Sequence, residues 1–424
     1  MHLFKCIRRI AVVLAIVLAS AQATNDLRAQ SLAPDVLRAV DSTAAAEFAR
    51  DSIASLTIGV VTDQGLVWTK SYGFADMGTR RLANRQSVYR IGSVTKMFTA
   101  LMLHQLDAAG KVRLSDPVER YYPEIKAIQG YSTLTAPITF LQLASMTSGI
   151  AREPKEEGPF WTGPVSQWDS TLRLALPHTA MELAPGTRFL YSNIGYAILG
   201  ASLSRAAGVP FVQWQREHIL DPLGMRHTAF ELDRAITADL TRGYAISQDG
   251  DFTSTQSDRE ALSGRGYKVP NGALYTTVDD LSRFLSLQLG HGPKEVVSPA
   301  RLDSAYNGAL LGGVDPKREY GIGFSIEPHG TSTWFGHGGA VAGFSATVTF
   351  DRDHQVGVIV LRNALGGRVR PPALASFALQ RVVDAKVAAE KGSGAPAGRH
   401  QRPEGDAIGR KPRCGLGVAR PARR

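Results

Sequence analysis

From Ser55 the chain runs Ser-Leu-Thr-Ile-Gly-Val-Val, turns through Thr62-Asp63-Gln64-Gly65, and resumes as Leu66-Val67-Trp68-Thr69-Lys70. Two β-branched, apolar runs across a short Gly-bearing turn predict a hairpin. A polar helical stretch over 33–50 precedes it. At Ser93 the period changes: Met97, Leu101 and His104 recur on one face, with Phe98 and Ala100 nearby, and Gly110 closes a helix over 93–109. Between about 110 and 300 the helical segments 140–146, 195–207 and 278–290 alternate with Pro- and Gly-marked loops. Strand-like alternation returns over 320–327, 343–351 and 355–361, where Asp351-Arg352-Asp353-His354 turns between the last two. A last helix is predicted over 371–390.

Strands at both ends with helices between them predict an α/β (α+β) fold. One sheet is assembled from about 31–85 and 318–385, and a helical subdomain, about 86–317, is inserted between its halves. The cleft between the two layers is the natural place for a site. Residues 386–424 carry Gly, Pro, Ala and Arg with almost no large apolar residues, so a disordered basic tail is expected there.

Residues 1–23 read as a signal peptide: Lys5, Arg8 and Arg9 precede the apolar run 10–19, and Ala21-Gln22-Ala23 suits a signal peptidase. The run falls well short of the roughly 20 residues that cross a bilayer, so export to the periplasm or beyond is expected, without a stable membrane anchor.

The composition, 44% apolar and 20% charged, is that of a globular protein. A net charge of +10 hints at nucleic acid, but its placement removes the hint: three net charges belong to 1–23 and seven to 386–424, which leaves 24–385 neutral. The two cysteines, Cys6 and Cys414, leave the folded part without a disulfide. No Cys/His cluster and no H-E-x-x-H motif is present, so no metal or cofactor is expected.

Three short motifs carry candidate chemistry: Ser93-Val94-Thr95-Lys96, Tyr191-Ser192-Asn193 and His337-Gly338-Gly339. Each alone is weak, but no other serine has a lysine three positions on, and no other tyrosine has an asparagine two on. Residues i and i+3 share a helix face, so Ser93 can meet Lys96. Gly92 before it places the hydroxyl at the positive end of a helix dipole. A serine needs a base, and an ammonium is not one, so Lys96 either loses its proton or serves as the charge that helps Tyr191 lose one. Asn193 offers a donor and an acceptor to orient Lys96 or a substrate amide. The glycines after His337 let substrate approach a backbone that leads into a strand, and backbone N–H groups there and at Ser93 suit an oxyanion hole.

With Tyr89 to Lys96, Leu143 to Gly149, Pro185-Gly186 before Tyr191, and Trp334 to Gly339, the chain resembles the class C branch of the beta-lactamase and penicillin-binding protein superfamily. The likeness spans about 55–383. It implies a beta-lactamase/transpeptidase-like fold with an antiparallel sheet and an all-helical insertion. It also implies Ser93 as nucleophile, Lys96 as its partner, Tyr191 as general base and acid, Asn193 as orienter, and the Ala340 amide in the oxyanion hole. Beta-lactamases of this branch usually carry lysine where this chain has His337. A neutral histidine attracts a carboxylate less, so peptidase or esterase work on a small-molecule or peptide substrate, by a monomer, is expected ahead of antibiotic resistance. A carboxylesterase without peptidase activity and a non-catalytic penicillin sensor are the alternatives. An α/β-hydrolase is excluded by the lack of any G-x-S-x-G.

Overall fold

The computed structural model describes residues 32–247, 249–255, 264–307 and 319–392. The predicted signal peptide and most of the predicted tail lie outside these residues. Among them, the first elements are α1 (Pro34–Phe48) and the hairpin β1 (Ser55–Thr62) and β2 (Gly65–Asp76), followed by β3 (Arg81–Leu82). The insertion contributes α2 (Thr95–Ala108), α3 (Asn193–Ala207) and α4 (Val278–Gln288). The chain then returns as β4 (Glu319–Tyr320), β5 (Ser325–His329), β6 (Ser332–Val341), β7 (Phe344–Asp351), β8 (Val356–Arg362) and α5 (Pro371–Gly392).

Eight strands form one sheet in the order β3-β2-β1-β8-β7-β6-β5-β4, with antiparallel pairing throughout. The two chain ends meet where β1 pairs β8, Leu56 opposite Arg362 and Val60 opposite Val358. Both strands are buried along their whole length, which is why they read as near-continuous apolar runs rather than as alternation. Leu56, Ile58, Val60, Val356, Val358 and Val360 point to one face, where they pack on Val36, Val40 and Ala44 of α1 and on Leu374, Ala378 and Val382 of α5. Val61, Ile359 and Leu361 face the other core with Phe98, Leu281 and Leu285 from α2 and α4. Glycine lets α4 lie close: a Cβ on Gly59 would stand 2.7 Å from Val278 Cγ2, and one on Gly357 2.6 Å from Leu285 Cδ2.

Three features differ from the sequence reading. The insertion also contains short strands: Tyr89–Arg90 pairs Tyr275–Thr276, and Tyr244–Ile246 pairs both Phe252–Ser254 and Ala364–Gly366. Secondly, residues 386–392, placed in the expected tail, are the last described part of α5, because Lys386-Val387-Ala388-Ala389-Glu390-Lys391 has good helix propensity. Lastly, His337-Gly338-Gly339 lies inside β6 rather than before a strand, since its pairing with β7 continues to Val341 opposite Phe344. No helix of the described residues is long and apolar enough to cross a membrane.

Candidate active site

The nucleophile candidate stands in a tight turn, Gly92–Val94, that feeds directly into α2. Gly92 has φ +49°, and a Cβ there would meet the Ala340 backbone at 2.9 Å, so glycine is required both by conformation and by the strand against it. Thr95 Oγ1 donates to Gly92 O at 2.7 Å and fixes the turn. One helical turn on, Lys96 is fully buried, and its Nζ lies 3.1 Å from Ser93 Oγ, 2.7 Å from Asn193 Oδ1 and 3.0 Å from Asn271 O.

Tyr191 is held in a strap tied at both ends. Leu190 N donates to Met146 O at 2.7 Å, and Ser192 caps α3 by accepting from Gly195 N at 2.9 Å. The cap sets Asn193 at the first position of α3, with its side chain on Lys96. The Tyr191 ring faces Lys96 Nζ at 4.9 Å from its centroid and Arg152 at 4.8 Å, and it lines the same cavity as Ser93.

β6 forms the opposite wall. His337 Nδ1 lies 2.6 Å from Gly338 O, which only accepts, so that nitrogen carries the hydrogen; Nε2 then accepts from Tyr320 OH at 2.9 Å. Gly339 sits directly against the nucleophile turn: a Cβ built on it would be 1.9 Å from Ile91 O and 3.2 Å from Ser93 N. Ser93, Tyr191, Asn193, His337, Gly338, Gly339 and Ala340 thus line one cavity of about 800 Å³, with Lys96 directly beneath Ser93.

Burial pushes the Lys96 amine well below the usual lysine range; the Glu153 carboxylate works against that shift, and Arg265 and Arg152 add to it. Burial pushes the Tyr191 phenol up to about 12, with the nearby Ser93 side chain opposing. Burial holds His337 down to about 3, so it is neutral at pH 7. No group of carboxylates, histidines and cysteines among the described residues suits a metal ion.

Several residues here escaped the sequence reading. Glu153 accepts from Asn193 Nδ2 at 2.6 Å and also from the Tyr267 hydroxyl. Asn271 Nδ2 donates to Asn193 O at 2.9 Å while its own carbonyl takes Lys96. Arg152, Arg265 and Lys268 line the same cavity. None of these sits in a spacing that advertises it; only the proximity of Arg152-Glu153 to the Thr147-Ser148-Gly149 segment offered a signal.

The sequence model of the beta-lactamase family matches residues 40–381. "Beta-lactamase-like protein 2" of Dictyostelium discoideum is 30% identical over 321 residues, 73% of this chain and 56% of that protein. The D-alanyl-D-alanine-carboxypeptidase/endopeptidase AmpH of Escherichia coli (strain K12) is 31% identical over 232 residues, 54% of this chain and 56% of its own length. The chain therefore spans about half the length of these curated relatives. In structure it is similar to the octameric penicillin-binding protein homologue from Pyrococcus abyssi, with a TM-score of 0.66 and 23% identity, covering 85% of this chain and 78% of that one. The family match over most of the chain, on this fold, makes the protein a member of the beta-lactamase family of serine hydrolases.

Proposed function

We propose that this protein hydrolyses an amide or ester through an acyl-Ser93 intermediate, as a peptidase or esterase. The observation that carries the reading is the set of partners around Lys96. A neutral amine has two N–H bonds and one lone pair. Asn193 Oδ1 and Asn271 O accept the two hydrogens, and the lone pair is left for the third neighbour, the Ser93 hydroxyl. Burial favours that neutral form. Ser93 Oγ attacks the carbonyl carbon while its proton passes to Lys96. The oxyanion is held by the backbone N–H groups of Ser93 and Ala340. Tyr191, a phenol kept protonated by burial, gives its proton to the departing amine or alcohol and recovers it from Lys96. Water then cleaves the acyl-serine by the same proton route in reverse.

The β6 wall supports a choice of substrate. A neutral His337 tied to Tyr320 supplies no fixed cation on that wall, so a substrate carboxylate would have to be met by Arg152, Arg265 or Lys268 elsewhere in the lining. Export is proposed from the sequence of residues 1–23, and the expected monomeric state is tested by analytical ultracentrifugation. A panel of D-alanyl peptides, short p-nitrophenyl esters and a chromogenic cephalosporin tests the reading. At least one acyl substrate is expected to turn over in the parent and none in Ser93→Ala; undiminished turnover in the variant excludes Ser93 as nucleophile.

A further inference from the structure

We infer that Glu153 is a positioning residue for the catalytic amine: its carboxylate fixes which end of the Asn193 amide faces Lys96, and supplies negative charge beside that amine. The inference rests on the proposed role of Lys96 and deepens it. An asparagine amide is nearly symmetric in shape, and its two ends differ only in that one donates and the other accepts. Lys96 needs an acceptor, and Asn193 Oδ1 provides it at 2.7 Å. What prevents the amide from turning over is its other neighbour. Glu153 Oε1, 2.6 Å from Asn193 Nδ2, can only accept, so a flipped amide would bring two acceptors together on one side and two donors on the other.

Glu153 is itself held, because the Tyr267 hydroxyl donates to its second oxygen. The Asn193 backbone is pinned by Asn271 Nδ2 on its carbonyl at 2.9 Å and by its own N–H on Arg152 O at 3.0 Å. The chain Tyr267, Glu153, Asn193, Lys96, Ser93 therefore has one consistent arrangement of donors and acceptors.

The same carboxylate acts on charge. The groups around Lys96 are Glu153, which favours the ammonium, Arg152 and Arg265, which oppose it, the rings of Tyr191 and Tyr196, and the neutral His337. Without Glu153 the cations act unopposed. Since the reaction needs the free amine, removing the carboxylate extends activity toward lower pH.

The test is kcat/KM for a p-nitrophenyl ester between pH 4 and 9, in the parent, Glu153→Gln and Glu153→Asp, with mass spectrometry of the Ser93 adduct of a fluorophosphonate alongside. Glu153→Gln is expected to move the acid limb down by about one pH unit. It should also lower the plateau by about ten- to a hundredfold, because a glutamine no longer dictates the Asn193 orientation. Glu153→Asp keeps the charge on a shorter arm, so its limb stays in place and its plateau falls. An acid limb that stays put or rises in Glu153→Gln overturns the inference. If the Gln variant does not fold, a Glu153→Asp plateau equal to the parent's overturns it instead. Absence of a Ser93 adduct in the parent marks a failure of the proposed hydrolase reading rather than of the Glu153 role.

Discussion

Two adjacent glycines of β6 offer a paired prediction. A methyl group on Gly339 would stand 1.9 Å from Ile91 O, whereas real Cβ contacts essentially never come below 3.0 Å, so the strand must retreat from the nucleophile turn by about 1.1 Å. The next residue is Ala340, whose N–H is proposed to hold the oxyanion. An N–H···O bond of about 2.9 Å lengthened by that much is no longer a hydrogen bond. Removing one such donor costs about 10²- to 10³-fold in kcat, or about 2.7–4 kcal/mol. By contrast, a methyl on Gly338 finds no atom within 4 Å. Gly338→Ala should keep its stability within about 0.5 kcal/mol and most of its rate on a small ester. The assay is steady-state hydrolysis of a p-nitrophenyl ester by both variants, with thermal unfolding followed by circular dichroism to separate lost chemistry from lost structure. A fully active Gly339→Ala, or equal damage from the two variants, would refute the placement of the hole between β6 and the Ser93 turn.

Other consequences follow from burial and charge. His104 and His337 are both held down to about 3 by burial. The folded state therefore refuses protons that the unfolded chain takes up near its ordinary value of about 6.5, and stability is expected to fall as pH drops from about 6.5 toward 3, by roughly 2 kcal/mol for each histidine at pH 5. His104→Gln should shallow that slope in a pH series of denaturant melts, and an unchanged slope argues against a neutral buried His104. Arg362, 1% exposed, is met by both oxygens of Asp51 at 2.9 Å, so Asp51→Ala should cost about 3–5 kcal/mol by stranding a buried cation, measured by urea unfolding. A loss under 1 kcal/mol contradicts that pairing.

The legible part of the site was the part encoded locally. Ser93 and Lys96 are three residues apart on one helix, so helical geometry alone brings their heads together. Tyr191 and His337 were found because their motifs are rare in the chain, not because any period joins them to Ser93. Glu153, Asn271, Tyr320 and Tyr267 were missed for the same physical reason: their contacts are created by chain reversal. Lys96 meets Asn271 across 175 residues, and Tyr267 meets Glu153 across 114. In the fold, the apolar runs announced the buried strands and the amphipathic runs the helices. The three-residue strands Tyr244–Ile246 and Phe252–Ser254 are too short to show a period, and one of their partners, Ala364–Gly366, lies more than a hundred residues away. Nor does sequence distinguish Gly338 from Gly339, since only the carbonyl of Ile91 tells them apart.

The chemistry stands or falls on whether Ser93 becomes acylated with Lys96 as its base. Intact-mass spectrometry after brief exposure to an activated acyl ester, quenched in acid and followed by peptide mapping, reads this most directly. One added acyl group is expected on the peptide bearing Ser93 in the parent, a greatly slowed adduct in Lys96→Met, and none in Ser93→Ala. An adduct of undiminished yield in Ser93→Ala, or on a peptide without Ser93, would contradict it.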